Sequence, residues 1–307
     1  MSVEQQVKSL EKKVEALTRE LTEVHDELKI RKLQHAYGYY IDKCLYDEVI
    51  DLFSDDCEVR FMHGVYKGKA GARRLYVESF QKRFTGGKNG PIYGFLLDHP
   101  MYQDVVTITP DGQMAHARFR CNMQAGTHVN VTPNGQTPRQ WWEGALYENV
   151  YKKVDGTWRI HVLNYNPVWH ANFETGWAYT PPEYVRFADE SQLYPKNPLG
   201  PDAIDRTQVL WPDHGVLTFH YPHPVTGKKF KPQKPSTAPR GIGVRPSAPS
   251  APPPVTGPAP ARQAAPKPVA TAPQSRPQRA PSPEAAKSGD KLVVERAPAK
   301  SGAKARA

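Results

Sequence analysis

Apolar residues recur over the first 28 positions at alternating steps of four and three: Val3, Val7, Leu10, Val14, Leu17, Leu21, Val24 and Leu28. Nearly four heptads on a strict 3.5-residue period predict a helix with a coiled-coil seam, because the stripe on an ordinary surface helix follows 3.6. With Val7, Val14, Leu21 and Leu28 at a positions and Val3, Leu10, Leu17 and Val24 at d, the seam predicts a homo-oligomer. Val at a with Leu at d favours a parallel dimer over a trimer. From Ile30 to Asp56 the spacing stays helical but the face becomes aromatic, through Ile30, Leu33, Tyr37, Tyr40, Ile41 and Cys44. A second short helix is expected from Asp47 to Phe53, closed by Ser54-Asp55-Asp56. Beyond it the period drops to two. Residues 57–69 read as a hairpin turning at His63-Gly64, 71–84 as a helix, and 86–91 as a loop. Four strand-like runs follow at 99–109, 116–129, 140–154 and 158–170, with Asp111-Gly112 and Asp155-Gly156 as tight turns before the second and fourth. Helices first and then an antiparallel meander predict an α+β domain.

Charge divides the chain. Its 307 residues carry a formal net charge of +10. From Thr226 onward, however, sixteen Lys and Arg stand against three Asp and Glu, so the basic excess belongs to the tail and the body is slightly acidic. A basic, nucleic-acid-binding body is thereby excluded. The tail also holds 17 of the 31 prolines and almost no large apolar residue, and residues 230–307 are expected to be disordered and dispensable for folding. Residues 181–229, though rich in proline, keep Tyr184, Phe187, Tyr194, Leu210, Trp211, Phe219 and Tyr221, which predicts an ordered arm packed on the domain or on a neighbouring subunit, forming part of a lid. The expected organisation is therefore a coiled-coil helix at 1–29, a domain at 30–180, the arm at 181–229 and the tail at 230–307. Three cysteines without metal-ligand spacing, no signal-peptide core and no apolar run of about 18 residues predict a cytoplasmic protein with no membrane partner.

The candidate chemistry lies in the aromatic wall. Tyr37 and Asp42 are five residues apart on a helix, about 140° of rotation, so the two border one cavity from either edge of the apolar face. His99, at the entry to a strand, is a third group able to move protons near neutral pH. Strand alternation puts Trp141 and Glu143 on one face and Trp142 and Gly144 on the other. Tyr40, Phe61, Tyr93, Tyr147, Tyr165 and Trp169 add rings suited to stacking a planar, two-ringed substrate. Arg118 and Arg120 share a strand face; inward they would hold a phenolate, and outward they form a solvated stripe. Tyr147 and His170 complete the candidate substrate-binding set. No HExxH, cysteine pair, phosphate loop or nucleophile elbow occurs, so neither a metal nor a cofactor is expected and acid/base chemistry on a small molecule is favoured.

Taken in order, LQHAYGYYIDKCLYDEVIDLFSDDCEVRF, LLDHPMYQDVVTITPDGQMAHARF and GALYENVYKKVDGTWRIHVLNY resemble the SnoaL-like branch of the nuclear-transport-factor-2-like superfamily over roughly residues 30 to 170. The resemblance implies a cone formed by a strongly curved antiparallel sheet with helices across its mouth and one deep pocket. It also implies cofactor-free dehydratase, isomerase or lyase chemistry, with Tyr37, Asp42 and His99 on the positions of the Tyr, Asp and His of the dehydratase-type site. The chain departs from that pattern at Leu163, where many relatives carry a basic residue. The extended segments around Trp141 and from Leu163 to the arm are similar to bacterial lyases that release formaldehyde from lignin-derived diaryl compounds. A dehydratase or isomerase of a polycyclic substrate, and a non-catalytic binding or scaffold module, are the alternatives.

Overall fold

The computed structural model describes residues 2–132, 139–180 and 184–237; the basic tail, beyond residue 237, lies outside them. Helix α1 runs unbroken over Val3–Asp42, through the boundary expected at residue 29. It opens on Ser2, whose Oγ accepts from the Gln5 amide while its own N–H donates to Gln5 Oε1, so two end groups are satisfied reciprocally. All eight apolar seam residues are exposed, and the helix first becomes buried at Asp26, followed by Ile30, Gln34, Tyr37, Gly38 and Ile41. The switch has a chemical cause: ahead of it the apolar stripe is narrow, and behind it the stripe widens into rings that need a wall.

After α1 come α2 (Tyr46–Asp51), β1 (Phe53–Phe61) and β2 (Gly64–Lys67). The residues expected to close the second helix, Ser54 to Asp56, lie instead in β1, whose alternate positions Phe53, Cys57 and Val59 are buried. Between β1 and β2 the chain turns through Met62 and His63, both at positive φ. Helix α3 (Gly68–Arg73) widens to π spacing over Arg74–Gln81 and recovers in α4 (Lys82–Thr85). A strand not expected from the sequence, β3 (Phe95–Asp98), precedes β4 (Met101–Ile108), β5 (Met114–Thr127), β6 (Gln140–Val154) and β7 (Thr157–Asn172). A short β8 (Ala203–Ile204) comes from the arm and pairs with β2.

The eight strands form one curved sheet in the order β3-β5-β6-β7-β1-β2-β8, with β4 also paired to β5. The β1–β7 pairing is parallel, a departure from the expected wholly antiparallel sheet; within the expected four-strand meander the pairings β4–β5, β5–β6 and β6–β7 are all antiparallel. Pleat parity sorts the faces. On β5, Ala115, Ala117, Phe119, Cys121 and Met123 point into the core, and on β6 Ala145, Tyr147 and Tyr151 do the same, each large side chain worth about 1.5 to 3 kcal/mol when fully buried. One buried polar network locks α1 to this face. Gln34 Oε1 accepts from Asn149 Nδ2 at 2.9 Å and from the Tyr151 hydroxyl at 2.7 Å, and Asn149 Oδ1 accepts the Asn164 amide at 2.9 Å.

The arm is clasped to the outer face. Glu148 accepts from Arg118 Nε at 2.5 Å and bonds His220 Nδ1 at 2.7 Å, while Arg118 Nη2 donates to the Thr218 carbonyl at 2.9 Å and its guanidinium lies 4.5 Å from the Phe219 ring centroid. Contacts continue past residue 229: Phe230 meets Phe219 at 5.0 Å and Ser236 pairs with His214. Removing Glu148 would leave Arg118 and His220, both largely buried, without their shared acceptor. Glu148→Ala is therefore expected to cost about 2 kcal/mol and to speed proteolysis around Leu217 to Tyr221. Chemical denaturation and limited proteolysis together read this, and an unchanged cleavage pattern would refute the clasp. Among the described residues no helix is long and apolar enough to cross a membrane.

Candidate active site

A cavity of about 610 Å³ opens between the concave face of the sheet, the π segment and the arm. Eight of the residues proposed from sequence line it: Tyr37, Phe61, His99, Trp141, Glu143, Tyr147, Tyr165 and His170. Asp42 sits one step behind. As the last residue of α1 it faces the corner where β3 passes into β4, and there its Oδ1 lies 2.8 Å from Nδ1 of His99, with side chains 12% and 10% exposed. Pro100 interrupts the run between the two strands, which places the His99 ring at a bend of the sheet and over the end of the helix. Gly38 allows this approach, since a Cβ there would stand 3.2 Å from Met101 Cε.

With Nδ1 engaged by a carboxylate, Nε2 is the imidazole nitrogen left to meet a ligand. The pairing fixes ring orientation and stabilises the imidazolium formed when Nε2 takes a proton, which is what a general base requires. Tyr37 offers the complementary group. Its hydroxyl is 2.9 Å from that of Tyr76, and its ring packs edge-on to Tyr147 at 5.8 Å. Burial pushes the phenols of Tyr37, Tyr76, Tyr147 and Tyr165 above the ordinary tyrosine range. All four therefore stay protonated at neutral pH and serve as hydrogen-bond donors or acids, not as bases.

At another part of the wall, Glu143 accepts from Trp141 Nε1 at 2.9 Å and from the Tyr165 hydroxyl, and its Oε2 stands 3.4 Å from His170 Nε2. A bulge brings these together. Gly144 pairs with Trp169 but Ala145 pairs with Pro167, so one extra residue of β7 is accommodated there. The shift reverses the pleat, turning His170 toward the cavity and Trp169 away from it.

The remaining candidates lie elsewhere. Arg118 and Arg120 are on the outer face, the first in the arm clasp and the second donating to Gln103 Oε1 at 2.6 Å, because β5 points its Ala117, Phe119 and Cys121 inward. Trp142 and Trp169 form an outer aromatic group with Phe173 and Trp177, with the Trp169 ring occupying the space that a Cβ at Gly144 would need. Tyr40 packs beside the core without lining the cavity, and Tyr93 is exposed. Leu163, fully buried, gives the cavity wall an apolar side chain.

Sequence reasoning missed Tyr76 and Phe80 of the π segment and Gln192 and Pro201 of the arm, all of which line the cavity, as does Tyr184, one of the arm residues named from sequence. A π-helical stretch is a common mark of a functional site, but its extra residue per turn leaves no clear sequence period. Among the described residues no cluster of three or more His, Cys, Asp or Glu side chains is placed to hold a metal.

The family model of the SnoaL-like domain matches residues 22–164. No curated protein sequence matches the chain. Among solved structures, a scytalone dehydratase candidate from Novosphingobium aromaticivorans is 17% identical, covering 55% of this chain and 94% of its own, with a TM-score of 0.39. A type 2 hexachlorocyclohexane dehydrochlorinase is 16% identical over 53% and 98%, with a TM-score of 0.42. A type 3 enzyme of the same name from Novosphingobium barchaimii is 17% identical over 53% and 99%, with a TM-score of 0.40.

Proposed function

We propose that the protein is a cofactor-independent lyase that acts on a small aromatic alcohol, in which His99, oriented by Asp42, moves the proton and Tyr37 supplies a neutral donor. The single observation that carries this reading is the 2.8 Å contact between Asp42 and a His99 ring that lines an aromatic cavity. A histidine whose Nδ1 is held by a carboxylate on the wall of a cavity keeps its other ring nitrogen for a ligand, the arrangement that assists proton transfer there.

The substrate class best matched to the walls is a diaryl compound with a benzylic hydroxyl and a neighbouring hydroxymethyl group, as in lignin-derived diaryl dimers. Phe61, Trp141, Tyr147 and Tyr165 supply ring faces, and the cavity volume is in the range that holds a drug-sized ligand. In the reaction, an acid protonates the benzylic hydroxyl, which leaves as water while electrons from a para-phenolate form a quinone methide. His99 then takes the hydroxymethyl O–H proton. The carbon–carbon bond breaks, formaldehyde departs, and the bonding pair restores the aromatic ring and leaves a stilbene. The test is incubation of purified protein with a panel of phenolic diaryl alcohols, followed by formaldehyde and stilbene absorbance. Water loss without formaldehyde would make the protein a dehydratase, and turnover of none of the panel would sink the lyase reading.

The same proposal includes assembly. A narrow seam at a 3.5-residue period on an exposed helix is suited to pairing with the same helix of a second copy. Replacing Leu10, Leu17 and Leu21 by Asn is expected to weaken association, with about 1 to 3 kcal/mol lost for each polar group buried without a partner. Light scattering across a concentration series would reveal it; an unchanged mass would mean that the seam does not join subunits.

A further inference from the structure

We infer that Glu143 and His170 form a receptor for a hydroxyl carried on an aromatic ring of the substrate, so that the site selects free phenols over their ethers and over carboxylates. The inference rests on the cavity being a substrate site and adds what that site recognises away from His99.

Both side chains line the cavity and are buried, at 6% and 7% exposure. Glu143 is held rigidly: Trp141 Nε1 donates to Oε1, and the Tyr165 hydroxyl donates to Oε2. His170 is not held in the same way. Its Nε2 is shielded from solvent, faces Glu143 Oε2 at 3.4 Å, and makes no hydrogen bond. In a buried position such a nitrogen calls for a partner, and Glu143 Oε2 at 3.4 Å gives it no hydrogen bond. Burial holds the His170 imidazole below the ordinary histidine range, with Glu143 opposing that shift and Arg139 reinforcing it, so the ring is neutral near pH 7. A neutral imidazole with Nε2 protonated has one N–H to give at this point.

The group that matches a carboxylate acceptor beside an N–H donor is a hydroxyl, which donates to the first and accepts from the second. An ether accepts from His170 but has nothing to give Glu143. A carboxylate would bring a second negative charge to a buried one. The surroundings specify a ring as the carrier: Phe61 and Tyr165 lie 5.7 Å apart at a shallow 32° tilt, and the Trp141 ring carries the Arg139 guanidinium at 4.5 Å. A phenol seated here shares its proton with Glu143 and gains phenolate character, the electron release that departure of a benzylic hydroxyl needs.

The test uses probes that cannot react, a bibenzyl with a para-hydroxyl on each ring and its dimethyl ether, titrated calorimetrically into the full-length protein. The diphenol is expected to bind at least about tenfold more tightly than the ether, because a site built for a hydroxyl penalises its absence. His170→Phe, which keeps a ring but removes the N–H, is expected to bring the two affinities within about threefold, and Glu143→Gln to narrow the gap while the melting curve stays cooperative. Equal affinity of the parent protein for both probes, binding of neither, or an undiminished preference in folded His170→Phe would each overturn the assignment. Because these are binding measurements on compounds without an aliphatic hydroxyl, a failed formaldehyde assay leaves them standing, and the reverse also holds.

Discussion

Asp42→Asn is expected to lower kcat on a verified diaryl alcohol by about 10² to 10⁴-fold, the usual range for loss of a general acid or base. The amide preserves the shape of the side chain and can still meet His99 Nδ1, so the fold should be retained. What disappears is the negative charge beside Nδ1 that stabilises the imidazolium and favours the tautomer with Nδ1 protonated and Nε2 free to accept. His99→Ala should fall in the same range, and the double variant should lose little more than either single one, since the two residues act as a unit. Tyr37→Phe should cost less, because Tyr76 keeps a hydroxyl within 2.9 Å of the same point. Steady-state kinetics alongside thermal melts would separate these cases. A folded Asp42→Asn protein within about threefold of the parent would move the search for the base to the Glu143 side of the cavity.

The second large effect is on stability. Asp26→Asn is expected to destabilise the domain by about 3 kcal/mol, the low end of the cost of breaking a buried ion pair. The Asp26 side chain is 3% exposed and that of Lys153 17%; Lys153 Nζ approaches the carboxylate at 2.6 Å, with Lys29 Nζ at 3.2 Å on the other oxygen. Neutralising the carboxylate strands the Lys153 charge at the end of β6. Burial opposes ionisation of Asp26, but the lysine contacts outweigh it and hold the carboxyl below its ordinary value of 3.8. A depressed folded pKa means that the unfolded chain takes up the proton first on acidification. The contribution is thus fully present above about pH 4 and is lost as pH falls through the lower, folded value. Denaturation midpoints measured from pH 7 down to pH 3 should show the gap between parent and Asp26→Asn narrowing only at the acid end. A gap that is constant with pH, or absent throughout, would mean the pair does not anchor α1.

How much of this was legible depended on the range of the forces involved. The heptad stripe, the aromatic face from Ile30 to Cys44, and the separation of Trp141 and Glu143 from Trp142 and Gly144 onto opposite faces were readable because side-chain direction within a helix or strand repeats with the backbone itself. By resemblance, three residues far apart in the chain could also be nominated together, and the fold brings Tyr37 and His99 to one cavity with Asp42 behind. A bulge cannot be read in this way. Strict alternation from Tyr165 would have put Trp169 inside and His170 outside, and the offset at Pro167 reverses them because Val168 is an extra residue of β7 opposite the Gly144–Ala145 step of β6. Nor could Asp26 be told from the other charged residues of α1, since its burial depends on Lys153, which the fold brings to it. The sequence by itself therefore determined the local periods, the α+β class and the chemistry available. Only the tertiary structure decided which polar groups meet, because a hydrogen bond or buried ion pair is set by contacts of a few ångströms between residues that no local period relates.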